Sequence, residues 1–130
     1  MSDYNRGMSG ASTRRRIFSL SEAHALLPTV RALTADAAQD ALRLTAELDA
    51  AGPDVEGLPA DARRQRIGDE LNHVVACWTE RIGELGLEAK GLWLVDFDNG
   101  SGYYCWRYPE DAVSHFHDYD GGFAGRMRIV

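Results

Sequence analysis

The densest group of reactive side chains in the sequence is HFHDYDGGFAGR, residues 115 to 126. Imidazoles and carboxylates together hold divalent metals or move protons. Spacing decides which of them can act together. Pro109 at a tolerated first-turn position and the Gly121-Gly122 stop predict a short helix over PEDAVSHFHDY. On a helix, His115 and His117 diverge by roughly 200° and cannot share an ion. That register pairs His115 with Asp111 at the surface, four residues apart. It sets His117 in line with Glu110. His117 is therefore the residue selected, with Asp96, Glu110 or Arg126 expected beside it. The competing reading is structural: His117 bonds a backbone carbonyl and Glu110 favours the start of the helix.

Two further residues call for an explanation. Asp96 is a carboxylate inside the apolar run LWLVDF. It must reach water or find a partner such as Arg107 or Arg126. Cys105 stands beside Arg107 in sequence register and is either a thiolate or a half-buried structural cysteine. Other catalytic signatures are absent from the sequence. His24 and His73 fall on different helices, and no C-x-x-C, G-x-S-x-G or phosphate-binding glycine loop occurs.

The elements that must position these residues follow from hydrophobic period. Ser19 and Glu22 have the spacing of a capping box. They open a long helix that runs to about Ala51. Leu27, Val30, Thr34, Ala37, Ala41, Leu44 and Leu48 form its packing seam. AAGPDVEGLPAD breaks the chain, with Gly52 and Gly57 around Pro53, and Pro59 restarts a second helix to about Leu85. Its stripe is Ile67, Leu71, Val74, Trp78, Ile82 and Leu85, and Gly86 is the expected left-handed cap. LWLVDFDNGSGYYCWRY reads as a β-hairpin about Asn99-Gly100. Trp93, Val95, Phe97, Tyr104 and Trp106 share its core face. Leu94, Asp96, Tyr103, Cys105 and Arg107 share the other. The closing FAGRMRIV is expected to be extended. The fold class is thus α+β: a long antiparallel helical hairpin covered by a C-terminal β-hairpin and a short helix. Residues 1–15 form an expected disordered tail, and 16–130 a single domain.

Composition narrows the function classes. The chain has 130 residues and a net charge of −6, which disfavours nucleic acid. The one basic run, Arg14-Arg15-Arg16, is too short to read a duplex. Two cysteines are too few for a disulfide framework. With no signal-peptide pattern and no membrane-length apolar run, a bacterial cytoplasmic protein is expected.

Several of these stretches resemble one family, the domain-of-unknown-function family 2203. The resemblance starts at FSLSEAHALLP. It continues through ELGLEAKGLWLVDF and CWR with Glu110, and ends in H-x-x-x-x-GFAGR, covering about residues 17 to 130. It implies that Glu84, Gly86, Gly91, Asp96, Phe97, Cys105, Trp106, Glu110, His117, Gly122, Phe123, Gly125 and Arg126 travel together. His115 is not among them. Phe116 and Asp118 depart from the family's usual tryptophan and glutamate. The resemblance implies no activity.

Two functions are expected. The first is a protein-interaction or self-associating module, with a protein partner or a second copy on the helical hairpin. The second is a metal- or anion-binding protein or an enzyme. Its site is drawn from Asp96, Glu110 and His117, joined by Glu84, Cys105 or Arg126, and its cofactor is a divalent transition metal.

Overall fold

The computed structural model describes residues 16–50 and 58–129. The expected tail at 1–15 and the break around Gly52, Pro53 and Gly57 lie outside the described residues. Two helices, α1 (Leu20–Ala50) and α2 (Leu58–Glu84), pack on each other. α1 starts where the capping box requires. The Ser19 amide donates to Glu22 Oε1 at 2.8 Å, and the Glu22 amide donates to Ser19 Oγ at 3.0 Å. Each end satisfies an amide that has no partner within the helix.

The seam is the one its spacing predicts. Ala23, Leu27, Val30, Thr34, Ala37 and Leu44 are buried along α1, against Ile67, Trp78 and Ile82 of α2. The small Ala37 lies beside the Trp78 indole. Its Nε1–H donates to Thr34 Oγ1 at 2.9 Å, while the Thr34 hydroxyl donates to the Val30 carbonyl at 2.7 Å. α2 ends at Glu84, and Gly86 follows with φ 85°, the left-handed conformation expected of its cap.

The rest of the chain is an antiparallel sheet in sequence order. Its strands are β1 (Glu88–Gly91), β2 (Leu94–Asp98), β3 (Gly102–Arg107), β4 (His115–Asp118) and β5 (Met127–Arg128). The hairpin register is Val95 to Trp106, Asp96 to Cys105 and Phe97 to Tyr104. Val95, Phe97 and Trp106 therefore share one face, which is buried in a core with Phe18, Leu27, Val30, Trp78 and Ile82. Trp93 precedes β2 in a tight turn with φ 59°, yet it meets Trp78 edge-on at 5.0 Å. The α+β architecture stands, and the hairpin is the middle of a five-stranded sheet. Among the described residues no helix is long and apolar enough to cross a membrane.

Two expectations are overturned, the smaller being that FAGRMRIV is extended throughout: Phe123–Gly125 form a turn of 3-10 helix before β5. Residues 115–118 are strand, not part of a helix after Pro109. The open edge of β3 decides the matter, because its amides and carbonyls need partners. β4 supplies them, pairing Tyr103 with His117 and Cys105 with His115. Val113, His115 and His117 also alternate with Ser114 and Phe116, a period the helical reading passed over. The expected His115–Asp111 helical pair and the Glu110–His117 helical line do not exist. His115 and His117 instead point to the same face of the sheet.

Candidate functional site

The face of the sheet turned away from the helices carries its reactive residues. β2 places Asp96 there, β3 places Cys105 directly opposite it, and β4 adds His117 beside Tyr103. Gly102 lets β4 come close. A side chain at 102 would strike the His117 carbonyl and stand 2.9 Å from the Asp118 Cα. Asp96, Cys105 and His117 are all buried, with 1%, 0% and 2% of their surface exposed. One ligand atom from each lies within 4.8 Å of the others.

The hydrogen bonds of His117 fix its orientation. Nδ1 is 2.7 Å from the Asp118 carbonyl, which can only accept, so Nδ1 carries a proton. Nε2 is 3.0 Å from Asp96 Oδ2. One proton therefore lies between the ring and the carboxyl, whichever atom holds it. Burial pushes the Asp96 carboxyl above its usual range, against the pull of His117. Its other oxygen, Oδ1, is buried and makes no well-aligned hydrogen bond, although the Cys105 thiol lies near enough to the carboxyl for a weak S–H bond that favours its ionisation. Burial and the neighbouring Asp96 push the Cys105 thiol up to about 12. At neutral pH it is a thiol, and no nucleophile.

Charged and aromatic groups surround this centre. Lys90 Nζ is 3.9 Å from Asp96 Oδ2, 3.4 Å from Glu88 Oε1 and 4.2 Å from the centre of the Tyr103 ring. Tyr119 donates to Asp98 Oδ1 at 2.8 Å and meets Tyr103 edge-on at 5.1 Å. Arg126 grips Glu110 with both terminal guanidinium nitrogens, at 3.1 and 2.5 Å, and its charge partly opposes the rise of the Cys105 thiol's pKa. Glu110 takes a third hydrogen bond at 2.8 Å, from the Arg107 amide. Burial raises its pKa less than these donors lower it, so Glu110 ionises below the usual carboxylate range.

Of the residues expected to form a site, Asp96, Cys105 and His117 come together. Arg126 borders them, with Glu110 as its partner. Glu84 is exposed at the end of α2, on an element outside the group. His115 is half-buried, between Cys105 and Arg128 in register. Lys90, Tyr103, Asp98 and Tyr119 went unnamed as site residues. Lys90 had left a signal, as the single lysine beside 13 arginines.

Fold and site together define a small α+β protein with a buried aspartate–cysteine–histidine group on the open face of its sheet. The chain belongs to the uncharacterised conserved protein family DUF2203, which matches residues 16–129. Neither a curated protein nor a solved structure matches the chain significantly.

Proposed function

We propose that the protein binds a divalent transition metal through Asp96, Cys105 and His117. One observation carries the reading: Asp96 is buried with Oδ1 unbonded, beside a buried thiol and an imidazole nitrogen. Buried polar atoms without partners are rare in folded proteins and mark places where something else completes the bonding. The donor set is oxygen, sulfur and nitrogen, a borderline-soft combination that suits Zn²⁺. Donor atoms around tetrahedral zinc lie roughly 3.3–3.8 Å apart, from bond lengths of about 2.0–2.3 Å. The ligand atoms, within 4.8 Å of one another, would close by up to about 1 Å to reach that. His117 is already held as metal-binding histidines are, with the far nitrogen donating to a carbonyl. A metal at Nε2 would replace the proton shared with Asp96. It would also draw the proton from Cys105 and make it a thiolate ligand.

Untagged protein titrated with Co²⁺ tests this directly. The expected result is one ion per chain, with the ultraviolet charge-transfer band of a cobalt–thiolate bond. Cys105→Ser should lose the band, and Asp96→Ala or His117→Ala should lose stoichiometric binding. Equal, weak binding by the parent and all three variants sinks the reading.

A second reading, self-association or a protein partner on the helical hairpin, is favoured by one feature. Leu33, Ala37, His73, Val74 and Trp78 line a groove of about 280 Å³ between α1 and α2. Light scattering of the purified chain tests self-association, and a monomer at all concentrations removes it.

A further inference from the structure

We propose that Arg107, His115, Arg126 and Arg128 form an anion-binding subsite that seats a carboxylate or phosphate group beside the Asp96–Cys105–His117 centre. The inference extends the metal reading by naming the class of ligand such a centre would hold. Strand register places the residues together. Asp96, Cys105, His115 and Arg128 follow one another across β2, β3, β4 and β5. Residues paired across strands share a face and have side chains within reach of each other. Arg107 lies two residues from Cys105 on β3, hence on that same face.

The loop after β4 completes the corner. Phe123 has two guanidiniums over its ring, with Arg126 at 4.3 Å and Arg107 at 5.5 Å from its ring centre. Strand register sets Arg128 on the same face, in a chain whose net charge is −6. Glu110 is the acid that neutralises one of them, Arg126. Among the described residues, Arg107 and Arg128 form no ion pair, and both are exposed. Glu110 also shows what the corner recognises. Its carboxylate receives two guanidinium N–H groups and a backbone amide, the donor pattern that suits a planar or tetrahedral oxyanion. A second oxyanion between Arg107 and Arg128 would lie against His115, one strand from Cys105.

The test titrates inorganic phosphate and, separately, malonate into the full chain at constant ionic strength. Zinc-loaded and chelator-treated protein are compared by calorimetry, alongside the double variant Arg107→Gln/Arg128→Gln. Both substitutions are at exposed positions, and circular dichroism confirms folding. One saturable site is expected, weakened about tenfold or more in the double variant, since each lost charge-assisted hydrogen bond is worth about a tenfold change. Zinc stoichiometry should be unchanged in that variant. Preference for phosphate or malonate identifies the class of oxyanion. Titration without saturation, or equal binding by the double variant, overturns the subsite. If zinc fails to bind while the anion still saturates, the metal reading falls and the subsite stands. If zinc binds and neither anion does, the subsite falls alone.

Discussion

Thr34 and Trp78 bury one hydrogen bond between the helices, and Asp96 and His117 bury one between strands of the sheet. In the helical pair, the Trp78 N–H donates to the Thr34 hydroxyl, and that hydroxyl donates onward to Val30. No donor is left over. In the sheet, Asp96 keeps an oxygen without a hydrogen bond, next to a thiol that stays protonated. Both groups are equally hidden from water. A completed buried pair specifies how elements align, because any slip leaves polar atoms unpaired. An incomplete one is a standing free-energy penalty that a ligand can relieve.

The contrast can be broken by mutation, and the core between the two groups sets the scale. Trp106 is fully buried, with its N–H donating to the Glu110 carbonyl at 2.9 Å. Trp106→Ala is expected to cost about 3–5 kcal/mol, a large share of a typical domain's stability. Urea denaturation measures it, and a loss under about 1 kcal/mol would place this side chain outside the core.

Next in size is the completed pair. Thr34→Val leaves the Trp78 N–H buried and unbonded, at an expected cost of about 1–3 kcal/mol. A double-mutant cycle with Trp78→Phe should show positive coupling. Additive effects would mean that the two residues are not a unit, and the comparison loses one of its sides.

The incomplete group should respond in the opposite way. Cys105→Ala is expected to cost about 1 kcal/mol or less in metal-free protein, while removing stoichiometric Co²⁺ binding. A thiol held up at about 12 should also resist alkylation at pH 8, leaving exposed Cys77 as the labelled site. Mass spectrometry of peptides from labelled native protein checks this. Rapid modification of Cys105 without unfolding contradicts its burial.

The smallest effect concerns acid. The folded pKa of Glu110 is depressed, so the folded state favours the ionised form. Its contribution is fully present above the ordinary value of 4.5. It is lost as pH falls through the lower folded value. Glu110→Gln should flatten the decline of stability below that ordinary value, by melting temperature against pH. An unaltered acid limb would mean that the Arg126 pair adds nothing to stability.

Much of this was legible in the sequence because periodicity is local. The capping box, the helical seam, the Gly86 cap and the two faces of the hairpin all follow from spacing within one element. The strand at 115–118 was not legible in that way. Pro109 and the double glycine are valid helix boundaries, and only the unpaired edge of β3 overrides them. The correct choice of His117 over His115 as the buried histidine thus came with a wrong local geometry. The likeness to the family had selected the same residue independently. Lys90 stood out only as the single lysine, and its place, like that of Tyr119, was illegible for another reason. Their places depend on the order of strands and the return of a loop, which no short window encodes.

Gly102 carries a consequence of its own. Every residue named at the centre offers atoms, whereas Gly102 contributes by offering none. The space it leaves sets how near the His117 backbone lies to β3. In a saturation library, Asp96, Cys105 and His117 would be intolerant for the chemistry of what they present. Position 102 would be equally intolerant, with even alanine rejected, although it touches no ligand. An invariant glycine one strand from Asp96 would then record the shape of the site in the language of tolerance, at a position no search for reactive side chains would inspect.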